Sequence, residues 1–189
     1  MSIRAALAIA ALAAPVAILA TPLIAQTAVS EPDVLNNPNP DALQVYGLPG
    51  GAKPKSIKDE KVQFGKAIRI ELPGGGNPWS VGVNSPLLKP VKKGDKITVA
   101  FYARLEKGAD GATTGRIHAM QLQLSAAPYT ALFAKQNLDI DGTWKFFHVT
   151  GKADRDYAKG ELSAALHVNT AKQTIDIGAV AVLNYGQVP

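Results

Sequence analysis

The chain has 189 residues, with 20 basic against 15 acidic side chains and no cysteine. That length supports one domain around one core, and without cysteine a disulfide frame, a thiolate zinc site and a cysteine nucleophile are all excluded. The basic excess is mild and its lysines gather at turns such as "LLKPVKKGDK". No basic helix or recognised motif accompanies them, so nucleic acid is not an expected partner.

Residues 1–25 read as a secretory signal peptide. Arg4 is the only charge before Glu31, an Ala/Leu/Ile/Val-rich run follows it, and Ala25-Gln26 offers a small-residue exit. The run approaches the ~20 apolar residues that span a bilayer, so an uncleaved anchor is the competing reading. Its high alanine content and the lack of a basic stop-transfer flank favour cleavage. The mature protein is then expected to begin near Gln26, to be periplasmic or extracellular, and to keep no stable membrane anchor. Residues 26–44 are rich in Pro, Asn and Asp and predict a flexible leader. Residues 45–189 are assigned to a single β domain.

From Val62 onward the pattern is that of short strands. "VQFGKAIRIEL" comes first. In "DKITVAFYARLE", Ile97, Val99, Phe101, Ala103 and Leu105 alternate with Thr98, Ala100, Tyr102 and Arg104, the period of a half-buried strand. "RIHAMQLQLS", "WKFFHVTG", "ELSAALHVN" and "QTIDIGAVAVLNYG" follow, separated by Gly or Asp-Gly turns. Such a series predicts an all-β antiparallel sandwich or barrel. Tyr102 and Arg104 share the outer parity of one strand, and Gln121 and Gln123 that of another. These pairs are either solvated surface or the lining of a groove. Trp144 follows the "DIDGT" turn, where a large aromatic is expected to close one end of the core.

Tests for chemistry are mostly negative. "LPGGGNPWSVGV" leads its glycines into a strand rather than a helix, so it is not a phosphate loop. That leaves Trp79 as a core cap or a stacking platform. His118, His148 and His167 lack metal-binding spacing, and no GxSxG elbow is present. The acidic pairs Asp139/Asp141 and Asp154/Asp156 fall in turns, unlike the facing carboxylates of a glycosidase. A non-enzyme is therefore expected. Flat rings for sugar C–H faces, with amides and a guanidinium for hydroxyls, suit a weak glycan binder, with a Kd between about 1 mM and 1 μM.

Four stretches together resemble the CenC-type jelly-roll carbohydrate-binding modules found with bacterial xylanases and related hydrolases: "FGKAIRIEL", "NPWSVGVNSPLLKPVKKGDKITVAFYARLE", "DGTWKFFHVTGKADRDYAKG" and "QTIDIGAVAVLNYG". The resemblance implies a jelly-roll β-sandwich with one concave sheet that binds a polysaccharide or oligosaccharide. It also implies that Trp79 is a stacking platform, that Arg104 faces the groove, and that Asp176 lies near a structural calcium. No other cofactor is required. Tyr102, Gln121, Gln123 and Tyr129 complete the expected carbohydrate-binding set. The function so implied is an exported, non-catalytic module for xylan or β-glucan, accessory to glycoside hydrolases. The alternatives are a structural or interaction domain of the envelope without a glycan site, or a small glycan-active enzyme without a recognised motif.

Overall fold

The structure, a computed structural model, describes residues 31–187; the proposed signal peptide and its cleavage point lie outside them. The strands are β1 (Asp33–Val34), β2 (Gln44–Tyr46), β3 (Lys55–Lys58), β4 (Lys66–Pro73), β5 (Gly82–Pro86), β6 (Lys96–Lys107), β7 (Thr114–Leu124), β8 (Ala131–Asp141), β9 (Lys145–Lys152), β10 (Leu162–His167) and β11 (Lys172–Asn184). They form two antiparallel sheets. Sheet A runs β3-β4-β11-β6-β9, with β1 added beside β11, and sheet B runs β2-β5-β10-β7-β8. The chain is thus the antiparallel β-sandwich that its alternation predicts.

The core fills the space between the sheets, and period-two side chains build it. Ile97, Val99, Phe101, Ala103 and Leu105 of β6 face Val83, Met120, Leu122 and Leu166 of sheet B, all buried. A fully buried Leu, Ile, Phe or Met is worth about 1.5–3 kcal/mol, so this layer dominates stability. β11 departs from strict alternation. Ile175 and Ile177 point inward, then Val180 and Val182, because a bulge shifts the register between Ile177 and Val180. Before the bulge, alternation with Ile175 and Ile177 puts Asp176 on the outer face of sheet A, directly opposite Arg69 of β4 and Arg104 of β6.

The segment expected to be a flexible leader is part of the sandwich from at least Asp33. Beside β11, β4 stops pairing at Ile177 and β1 starts at Leu183. The side chain of Asn36 fills the gap. Its Nδ2 donates to Val180 O at 2.7 Å and to Ser85 Oγ at 2.7 Å, and its Oδ1 accepts from Val182 N at 2.8 Å. Leu35 and Leu43 join the core on either side. Composition missed this because a few well-placed residues anchor a segment whose average is polar.

Candidate functional site

The outward face of sheet B carries the candidate site. Its floor is made of small residues. Ala119 of β7 sits opposite His167 of β10, Gln121 opposite Ala165, and Asn84 of β5 opposite Ala165 from the other side. Gly82 pairs with both His167 and Tyr46. A Cβ at Gly82 would lie 2.3 Å from the Tyr46 hydroxyl, so only glycine lets the Tyr46 ring lie across this strand. Over that floor is a cavity of about 470 Å³, lined by Tyr46, Trp79, Asn84, Gln121, Gln123, Pro128, Tyr129 and His167.

Three aromatic residues wall this cavity, and all are open to solvent. Trp79 is 54% exposed, Tyr129 56% and Tyr46 37%. The core-cap reading of Trp79 is therefore wrong. Gly74, Gly75 and Gly76 all take positive φ, and a Cβ at Gly74 would meet the backbone of Lys172 at 2.3 Å. Only glycine fits there, and the loop it forms lifts Trp79 off the core. Tyr129 also has positive φ, 57°, a strained state for an aromatic residue and one that clusters at binding sites.

The polar groups at the base are amides and an imidazole. Gln121 donates to Gln123, and both are nearly buried. Asn84 Oδ1 is buried without a hydrogen-bond partner among the described residues, an orphan acceptor that a ligand hydroxyl would satisfy. Burial, and then the nearby His118, hold His167 below the usual imidazole range. Burial, and then Tyr129, raise the Tyr46 hydroxyl. Both groups are thus neutral at pH 7, and no lining residue carries charge. A second cavity of about 650 Å³ is lined by Pro78 together with Arg116, His118, Asp139 and Thr170, among others. Its one carboxylate, Asp139, accepts from Arg116 Nε at 2.7 Å.

The structure divides the residues singled out from the sequence. Trp79, Gln121, Gln123 and Tyr129 come together in this cavity. Tyr102 and Arg104 do not join them, because β6 belongs to sheet A and their outer parity faces the opposite side of the sandwich. Tyr102 lies there against Phe146, ring centroids 5.0 Å apart, beside an apolar hollow that also holds Phe64. Arg104 belongs to an ion-pair cluster. Tyr46, Asn84 and His167 are additions. The outer parity of "SVGVNSP" and "ELSAALHVN" contains the signal for the last two, once both strands are assigned to the sheet of Gln121.

Asp176 sits at the centre of that cluster, its side chain 0% exposed. Arg69 donates to it from Nε at 2.8 Å and Nη2 at 3.0 Å, and Arg104 from Nε at 2.8 Å. Both oxygens are therefore taken by guanidinium groups. A calcium site needs six to eight oxygen ligands, and two cations against the carboxylate oppose a third. The residues around Asp176 do not fit calcium. Among the described residues, no group of three or more acidic or histidine side chains could hold a metal. Trp144 is also absent from the core. It shares the outer parity of Phe146 and His148, donates from Nε1 to Asp59 at 3.0 Å, and lies under Arg104, 4.8 Å from guanidinium to ring.

No protein-family model matches the sequence, and no curated protein matches it. Solved structures do resemble it. A CBM4 module aligns with a TM-score of 0.56 at 15% identity, over 77% of this chain and 96% of its own. The second N-terminal cellulose-binding domain of Cellulomonas fimi β-1,4-glucanase C gives 0.54 at 16% identity, over 82% and 95%. The CBM22-1 xylan-binding domain of Paenibacillus barcinonensis Xyn10C gives 0.53 at 12% identity, over 84% and 98%. At these identities the likeness establishes the fold, which is the jelly-roll sandwich of carbohydrate-binding modules. The CBM4 and CBM22 modules share this β-sandwich architecture with the chain.

Proposed function

We propose that the outward face of sheet B binds an uncharged polysaccharide chain of the xylan or β-glucan type, without catalysis. The observation that carries this is the cavity lining. Exposed rings stand over a base of amides and a neutral imidazole, and one buried amide oxygen lacks a partner among the described residues. The rings suit sugar C–H faces, and the amides and imidazole suit hydroxyls. The absence of charge disfavours uronic acids and phosphosugars, which would lose hydration without gaining a counter-charge. The cellulose-binding and xylan-binding domains with this fold support the reading. Catalysis gains no footing, since the ring-walled cavity contains no carboxylate and Asp139 next door is tied to Arg116. The proposal extends to an exported protein that holds partner hydrolases on plant or envelope polysaccharide.

The test is calorimetric titration of the protein with xylohexaose and cellohexaose, alongside a polygalacturonate control. Binding of a neutral oligosaccharide with a Kd in the range of about 1 mM to 1 μM is the expected result. Preference for polygalacturonate, or no heat with any of the three, overturns the proposal.

A further inference from the structure

The loop that displays Trp79 is held by a residue outside the cavity. Asn169 lies two residues beyond the end of β10, is 3% exposed, and directs its whole amide at this loop. Its Oδ1 accepts from Gly74 N at 3.1 Å, and its Nδ2 donates to Gly75 O at 2.6 Å and to Ser80 Oγ at 2.8 Å. Its backbone N–H donates to Pro78 O at 3.1 Å, and the N–H of Val168 donates to Val81 O at 3.1 Å. Ser80 closes the arch by donating from Oγ to Asn77 O at 2.7 Å. One side chain thus joins both limbs of a loop whose three glycines have the widest backbone freedom of any residues.

We propose that Asn169 is the positioning residue of the glycan site, setting the orientation of the Trp79 ring without touching ligand. The proposal rests on the glycan reading of this cavity. A stacking platform gains most affinity when its ring is fixed before the ligand arrives, because ordering it afterwards consumes part of the binding energy. Without the Asn169 amide, Gly74 N, Gly75 O and Ser80 Oγ lose their shared partner, and the loop is free to sample other arrangements. The end of β10 and the residues just after it therefore serve the site twice. His167 supplies a group at the base of the cavity, and two residues later Asn169 aims the wall.

The test uses the full chain labelled with 5-fluorotryptophan. The sequence contains two tryptophans, so a fluorine spectrum assigned with Trp79→Phe reports each ring separately. Asn169→Ala is expected to broaden or split the Trp79 line and leave the Trp144 line in place. In titrations with xylohexaose and cellohexaose, it is expected to weaken binding about fivefold or more. It should add nothing further in a Trp79→Ala background, because it acts through that ring. An unchanged Trp79 line in Asn169→Ala, or a loss that adds in full to that of Trp79→Ala, overturns the proposal. If Asn169→Ala fails to fold, Ser80→Ala removes one acceptor at an exposed position; a disturbed Trp79 line supports the proposal and an undisturbed one overturns it. Should the wild type bind neither sugar, the glycan reading fails, while the fluorine lines still decide whether Asn169 fixes the ring.

Discussion

Replacing Asp176 with alanine tests both the ion-pair cluster and the calcium expectation. The carboxylate is fully buried, and Arg69 and Arg104 hold it from the two neighbouring strands, with side chains only 25% and 21% exposed. Removing one partner of a buried pair typically costs about 3–5 kcal/mol, because the remaining charge stays desolvated and unpaired. Here the loss belongs at the lower end. Arg69 keeps Glu106 at 2.7 Å, and Arg104 keeps Asp59 at 3.0 Å, while partial exposure screens both guanidinium groups. A loss of about 3 kcal/mol lowers Tm by roughly 6–12 °C for a domain of this size. In urea, with a slope of about 1–3 kcal/mol/M, the midpoint falls by about 1–3 M. Asp176→Asn is the isosteric control. It places an amide N–H against a guanidinium donor, so it should recover little of the loss. Differential scanning calorimetry and urea denaturation measure both variants. A Tm within about 2 °C of wild type for Asp176→Ala would refute the claim that this carboxylate neutralises the two arginines.

If guanidinium groups occupy both Asp176 oxygens, excess chelator leaves the wild-type melting curve unchanged; a marked drop in Tm would restore a metal to the account. Trp79→Ala should alter stability by less than about 1 kcal/mol, since the ring is 54% exposed. The same variant should weaken oligosaccharide binding by about 1 kcal/mol or more, read by calorimetry beside a melting curve. His167 should make stability depend on pH. Its folded pKa lies below the ordinary imidazole value near 6.5, so the unfolded chain binds more protons in that window. Its contribution is complete above about pH 6.5 and is lost as pH falls toward the lower folded value. Denaturation midpoints measured down to pH 5 should thus fall less steeply in His167→Gln; a slope equal to wild type refutes this. Trp144→Phe keeps the ring beneath Arg104 but removes the donation to Asp59, and should cost only about 1–2 kcal/mol. A thermal melt showing the ~3–5 kcal/mol of a core truncation would return Trp144 to the interior.

Period-two alternation was enough to read β6 residue by residue, because one buried face leaves a strand little choice of orientation. It did not reveal which sheet each strand joins. Outer-parity residues of β6 and β7 looked equivalent in sequence, yet Arg104 and Gln121 lie on opposite sides of the protein. That assignment depends on long-range pairing, which local pattern does not encode. Bulges are a second blind spot. One extra residue in β11 separates the parity of Ile177 from that of Val180, and nothing but Gly178 hints at it. Trp144 was misplaced for a simpler reason. Its size suggested the core, while its parity with Phe146 pointed outward. The glycine run before Trp79 was legible as a loop, but the partner that braces it, Asn169, lies 89 positions from Ser80.

The pairing of Asp33 with Asn184 also determines how this domain can be mounted. Adjacent strands are about 4.8 Å apart, so the polypeptide enters and leaves the fold almost at one point. That point is on sheet A, and the ring-walled cavity is on sheet B. A host protein or a surface can therefore carry the domain on a single stalk, as a tool head on a handle, with the cavity turned away from the attachment. Spliced into a longer chain, it would add a side branch rather than a spacer, since the host backbone resumes one strand width from where it broke off.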